Sequence, residues 1–290
     1  MLLSLSPLFL ATRIAGTRLY SSAGSATLDR LRETSQQWTL PPTPELLENK
    51  SYSEALMSVT QFINSQLREH MAKPTGDGVY TPHVLQKCYD DYVWGFNSPH
   101  LWKIEPSVVQ DLYKRHTSEN HCEVAIGTGY FLRSVGLEDL TLVDLNPNTL
   151  DVCTDVLRQA SPDVRLNLIQ HDILKPFERP AQYSSVAAVF LLHCLSGPRP
   201  EVPLRMMRHC AQLVADDGVF FGSTILGRTF DETSEPAALQ TMQMYNQMGI
   251  FGNWDDDLVT IREALAASFL EVDVRAVGHC AVWEARRPKA

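Results

Sequence analysis

The chain has 290 residues, 44% hydrophobic and 20% charged, a composition of ordinary soluble globules and enough length for one large domain or two small ones. A net charge of −9 argues against a broad nucleic-acid footprint, which needs a basic excess to displace counterions from phosphate. Six cysteines, at 88, 122, 153, 194, 210 and 280, form no CxxC pair and match no zinc-ligand spacing, so they read as reduced, mostly buried thiols rather than metal ligands. No later run approaches the ~18 uninterrupted apolar residues of a membrane-spanning helix.

Residues 1–28 carry Arg13 and Arg18, no acidic residue, and many Ser, Leu and small residues, which reads as an import presequence. Arg18 stands two residues before Tyr20-Ser21, a spacing similar to mitochondrial processing sites. Residues 1–20 are therefore expected to be a mitochondrial presequence for a matrix protein, with a cytoplasmic chain as the alternative. Removing them takes two positive charges away, from −9 to −11. A secretory signal fits less well, because no basic residue precedes the apolar run from Leu2 to Leu10.

Residues 21–50 end in Pro41, Pro42 and Pro44 and read as a linker. Tyr52, Ala55, Leu56, Val59, Phe62, Ile63 and Leu67 then follow helical spacing over 52–71, before PTGDG at 74–78 breaks the chain. Helices are expected over 84–95 and 106–116, which makes 51–118 a helical N-terminal segment.

From 119 to 290 short apolar runs alternate with amphipathic stretches, the pattern of an α/β domain with a mostly parallel open sheet. Strands are expected at 121–126, 140–144, 164–170, 185–191 and 217–223. Asn146-Pro147 supplies a helix cap and a first-turn proline, and helices near 235–248 and 255–268 precede a final β pair around Val277-Gly278. Asp255, Asp256 and Asp257 read as a helix cap and first-turn charge rather than a metal site.

HCEVAIGTGYFLRSV, residues 121–135, joins a strand to two close glycines and then to what reads as a helix. Bare backbone and a positive helix end can receive a ligand there. A dinucleotide turn wants a small residue at the third position of GxGxxG, and Leu132 occupies it; no GK[ST] follows for a P-loop. The pattern Glu123-x-x-x-Gly127-Thr128-Gly129 instead resembles motif I of the class I S-adenosylmethionine-dependent methyltransferases, with Ala125 where that motif usually has its first glycine. Asp144 follows 21 residues later in LTLVDLNP, IQHDILKPF holds Asp172, LLHCL ends the fourth strand, and ADDGVFFGSTI enters the fifth. More narrowly, YDDYVWGFNSPHLW, IGTGYFL, VDLNPNTL, LLHCLSG and YNQMGIFGNWDD are similar to a group of small bacterial and fungal YbcY-like methyltransferases.

The resemblance implies a Rossmann-like seven-stranded sheet, six parallel strands and one antiparallel, with helices on both faces and the N-terminal helices as a lid. It implies S-adenosylmethionine as cofactor, held by Glu123, Ala125, Gly127, Thr128, Gly129, Asp144, Leu145, Asn146, Asp172, Ile173 and Leu191. Asp144 would accept the ribose hydroxyls, Asp172 the adenine amino group, and Ile173 would pack on the ring. In-line methyl displacement needs alignment, exclusion of water and at most one base. His193 is the candidate base, ahead of His100, His171 and His279, and Tyr89, Tyr92, Trp94, Tyr245 and Asn246 are candidates for the acceptor side. The expected partner is a small-molecule acceptor; the alternative is a non-catalytic assembly protein that keeps the fold.

Overall fold

The computed structural model describes residues 27–73, 76–178, 180 and 182–289, so the expected presequence at 1–20 lies outside the described residues. Seven strands form one sheet: β1 (Asn120–Val124), β2 (Asp139–Asp144), β3 (Arg165–Gln170), β4 (Tyr183–Val189), β5 (Val214–Ile225), β6 (Phe269–Val277) and β7 (Cys280–Pro288). Their order is β3-β2-β1-β4-β5-β7-β6. β1 to β5 are parallel, and β7 runs antiparallel between β5 and β6. Six strands thus point one way and one the other. Strand order reverses between β1 and β4, and this switch point opens a crevice at the carboxyl ends of the strands, where open α/β sheets bind ligands.

Helices cover both faces because the central strands are apolar on both sides. Val109, Leu112 and Tyr113 of α4 (Pro106–His116) and Leu150, Cys153 and Leu157 of α5 (Pro147–Ala160) pack on one face. Met206, Met207 and Cys210 of α6 (Glu201–Leu213) and Ile261 and Leu265 of α8 (Leu258–Ser268) pack on the other. In α2 (Tyr52–His70) a capping box fixes the start: Glu54 N–H donates to Ser51 Oγ at 3.3 Å, and Ser51 N–H donates to Glu54 Oε2 at 2.8 Å. The helix α7 (Pro236–Gln247) packs against α2.

Three expectations need correction. The described part of the expected linker 21–50 is packed structure: α1 (Leu28–Ser35) buries Leu31, and Trp38 sets its edge against Tyr92 and Phe96 at 5.7 and 6.0 Å. Arg30 reaches Glu105 with two bonds of 2.6 and 2.5 Å. The prolines turn this segment without detaching it, since Leu47 beyond them is also buried.

The helix expected over 84–95 is two elements, α3 (Pro82–Lys87) and an 11-residue π-type helix, Asp91–Leu101. In that second element Tyr92, Trp94 and every residue from Phe96 to Leu101 are buried, so no polar face exists to mark its period in the sequence. Finally, no full helix follows the glycines. A single 3-10 turn, Leu132–Ser134, ends at Gly136, whose φ of +67° stops it.

Asp255, Asp256 and Asp257 divide their roles. Asp257 caps α8 by accepting from Thr260 N at 2.7 Å, as expected, and Asp255 pairs with Arg228 at the surface. Asp256 is not the expected first-turn charge: it precedes α8, is fully buried and pairs with Arg199 at 2.8 Å.

Candidate active site

At the switch point lies a cavity of about 380 Å³, within the roughly 300–1,000 Å³ of small-molecule sites. Its floor is the turn after β1, the Asp144-Leu145-Asn146 corner after β2 and Phe190-Leu191 after β4. Tyr80, Tyr89 and Trp94 of the N-terminal segment close it from above. Glu123, Ala125, Gly127, Thr128, Gly129, Asp144, Leu145, Asn146 and Leu191, nine of the expected cofactor residues, all reach its wall.

The turn works through backbone geometry. Ala125, Gly127 and Gly129 have φ of +61°, +52° and +69°, the left-handed region where a side chain is strained. A Cβ on Gly129 would stand 2.8 Å from Cys153 Sγ on α5, and one on Gly127 would stand 3.3 Å from the Tyr89 hydroxyl. Gly129→Ala is therefore expected to cost about 2 kcal/mol of stability, measured by urea unfolding. Ala125 already carries that strain. Ala125→Gly should be neutral or stabilising by up to about 1 kcal/mol, because relief of the left-handed strain is partly offset by the entropy of the unfolded glycine. A loss of more than that amount would remove the strain argument.

The turn is tied to its cover. Thr128 Oγ1 donates to Asp90 Oδ1 at 2.5 Å, and the Arg133 guanidinium pairs with Asp90 Oδ2. Trp94 stacks on Phe190 at 4.9 Å and meets the edge of Phe131 at 4.6 Å. Tyr89 and Trp94 thus sit over the glycines as the lid expectation requires.

Asp144 accepts from Ile126 N through Oδ2 at 3.0 Å and from Asn146 N through Oδ1 at 2.8 Å. Burial raises its pKa while these amides oppose the rise. Asn146 caps α5 by accepting from Asn148 N at 2.9 Å, so strand end, acid and helix start form one rigid corner. Glu123 is buried with both oxygens engaged, Oε1 by the Tyr113 hydroxyl at 2.6 Å and Oε2 by His121 Nε2 at 3.1 Å.

Other expected residues fall elsewhere. Asp172 and Ile173 are not on the cavity wall: Asp172 Oδ1 accepts from Leu174 N at 3.0 Å, and Ile173 is buried against α6, where His209 Nδ1 meets its carbonyl at 2.7 Å. His171 orders the same loop through the Lys175 carbonyl at 3.0 Å. Asn246 is structural, donating to the Met242 carbonyl at 2.9 Å and accepting from Asn253 N at 3.1 Å. Tyr92, Tyr245 and His193 line a second, smaller chamber of about 80 Å³ that shares Tyr80, Tyr89, Phe190 and Cys194 with the main cavity.

His193 does not suit the part of base. Ile225 N–H donates to its Nδ1 at 3.4 Å, and Thr224 Oγ1, which already accepts from His193 N at 3.1 Å, lies 3.2 Å from the same Nδ1. A nitrogen that accepts a backbone N–H carries no proton, so the proton is on Nε2, which can then only donate. Burial pushes the imidazole pKa down to about 3, with the Arg199 charge adding to the effect. The folded value lies below the unfolded 6.5, so unfolding takes up a proton. Stability from this group is complete above pH 6.5 and is lost as pH falls from there toward 3. Between pH 7 and pH 5, the stability margin of the native chain over His193→Gln should shrink by about 2 kcal/mol in urea titrations.

Tyr80, Phe190 and Cys194 were not foreseen. Tyr80 follows a glycine break with no periodicity of its own, and Cys194 is read from the sequence only as a buried thiol. The Tyr80 hydroxyl and Cys194 Sγ lie 3.6 Å apart, in the wall between the two chambers.

No protein-family model matches the chain. Demethylluteothin O-methyltransferase of Streptomyces thioluteus is 33% identical over 215 residues, 72% of this chain and 90% of its own. YbcY of Escherichia coli (strain K12) is 31% identical over 180 residues, 61% of this chain and 90% of its own. Among solved structures, an O-methyltransferase family protein from Burkholderia thailandensis shares the fold with a TM-score of 0.54 at 17% identity, over 85% of this chain and 77% of its own. With the glycine turn, the Asp144 corner and the β7 insertion in place, the chain belongs to the class I S-adenosylmethionine-dependent methyltransferases and is an enzyme that uses that cofactor.

Proposed function

We propose that the chain moves a methyl group to a small-molecule acceptor by in-line displacement, with proximity and orientation supplying most of the rate. The observation that carries this reading is the shared wall: a cofactor-sized cavity adjoins a smaller, mostly aromatic chamber through Tyr80, Tyr89, Phe190 and Cys194. The glycine turn, Asp144 and Asn146 fit a nucleoside with an amino-acid tail, since the turn leaves room for backbone approach and Asp144 suits two ribose hydroxyls. Held there by the glycine turn, Asp144 and Asn146, S-adenosylmethionine would supply an electrophilic methyl on a sulfonium whose sulfur keeps the electron pair as leaving group.

The protein's own work is to enclose and to aim. Tyr89 and Trp94 exclude water, and the Asp90 clamp on Thr128 and Arg133 holds that cover on the turn. Holding two reactants at attack distance can supply about 7–11 kcal/mol of a barrier, which leaves little for a base to add. The name of the Streptomyces thioluteus relative, a small-molecule O-methyltransferase, supports the same class of acceptor. The test is incubation with methyl-labelled cofactor and a mixed metabolite and protein extract. Label is expected in the small-molecule fraction, and label confined to protein or nucleic acid would sink the reading.

A further inference from the structure

The 80 Å³ chamber is walled by uncharged side chains, among them Tyr92, Asn97, Trp102, Tyr245 and Phe251. His193 is 3% exposed and stands edge-on to Phe251 at 4.5 Å. Its Nδ1 is occupied by Ile225 and Thr224, while its Nε2 has no hydrogen-bond partner among the described residues. On the same wall the Tyr92 hydroxyl is buried without a hydrogen-bond partner, beside the Cys88 thiol. His193 lines the chamber, so an Nε2–H without a protein acceptor is free to donate to what the chamber holds.

We propose that this chamber is the acceptor subsite and that His193 Nε2–H binds the acceptor by donating to its oxygen, selecting acceptors that arrive as oxyanions and rejecting protonated amines. The inference rests on the small-molecule reading above. An acceptor that ionises in water leaves its proton there before binding, so its lone pair is free and His193 has no proton to take. Either ion enters an uncharged chamber, but the oxyanion accepts from Nε2–H, whereas a protonated amine finds no carboxylate there and presents donors to a donor. The small volume further restricts the buried part of the acceptor to about one ring.

The probes are 4-nitrophenol, ionised at mildly alkaline pH, and benzylamine, cationic there. Two readouts are used: product mass with S-adenosylmethionine, and the nitrophenolate absorption band on binding to protein with S-adenosylhomocysteine. Nitrophenolate should bind with a shifted band and be methylated, with benzylamine at least about 100-fold slower. His193→Phe should weaken nitrophenolate binding and raise its KM about tenfold or more while kcat changes less, and His193→Gln, which keeps a donor but no basic ring, should recover most of that loss. Cofactor affinity, unchanged in both variants, certifies that they fold.

Comparable transfer to benzylamine would overturn the proposal, as would a Gln variant as impaired as Phe, or a Phe variant that binds nitrophenolate like the native chain. If neither probe binds while extract metabolites gain the methyl, the acceptor inference fails and the small-molecule reading stands. If no small molecule gains it, that reading fails first.

Discussion

Asp144→Ala is expected to weaken binding of S-adenosylhomocysteine by about 100- to 1,000-fold in calorimetry. The carboxylate is held from behind, Oδ2 by Ile126 N and Oδ1 by Asn146 N, so its remaining lone pairs are oriented before any ligand arrives. Two hydroxyl donors on a charged acceptor are worth about 1.5–3 kcal/mol each, and alanine forfeits both. Burial of the acid raises its pKa, so folding alone already bears the cost of a desolvated charge at this corner. Asp144→Asn keeps one carbonyl acceptor and should fall between, near tenfold. An alanine variant within about threefold of the native affinity would remove Asp144 from the cofactor site.

Arg199→Met is expected to destabilise the fold by about 3–5 kcal/mol, seen as a drop in Tm on the order of 10 °C. Arg199 and Asp256 are 8% and 0% exposed in their side chains, and the Nε to Oδ1 distance is 2.8 Å. The same guanidinium donates to the Leu192 and Leu195 carbonyls at 3.3 and 3.0 Å, so it binds the loop that carries His193 to the segment before α8. Methionine fills much of the volume and leaves Asp256 as a buried charge without its cation.

The pH dependence separates lost charge pairing from lost packing. Desolvation already holds the Asp256 pKa up at about 6. Because its folded value exceeds its unfolded value, this group favours the folded state at low pH, and the benefit is lost as pH rises through about 6. Removing Arg199 lifts the folded value further, so the defect of Arg199→Met should be larger near pH 8 than near pH 5. The double variant Arg199→Met/Asp256→Leu should recover much of the loss, as paired buried ions replaced together by apolar groups often do. A defect that is the same at both pH values would point to packing alone.

The legible parts of this protein are those where one residue's chemistry is decided by its near neighbours. Asn146-Pro147 is a cap followed by a proline without its N–H, and it starts α5 as read. Gly127 and Gly129 require positive φ and have it. Glu123 and Asp144 reach one cavity because parallel pairing of β1 and β2 brings their carboxyl ends together. The π-type helix failed as a reading because burial on all sides erases the period, and the short turn after Gly129 failed because Gly136 stops it.

By itself, then, the sequence determined the alternation of strands and helices, the glycine turn and the acid at the end of β2, since spacing, capping and backbone freedom are local properties. Tertiary structure alone decided what His193 can do. Its tautomer depends on Thr224 and Ile225, 31 and 32 residues further along the chain, and its charge depends on burial beside Arg199. Tyr80 and Cys194 became a wall between two chambers only when the N-terminal segment folded over the strand ends, because a side chain's protonation and exposure are set by what packs against it rather than by what precedes it.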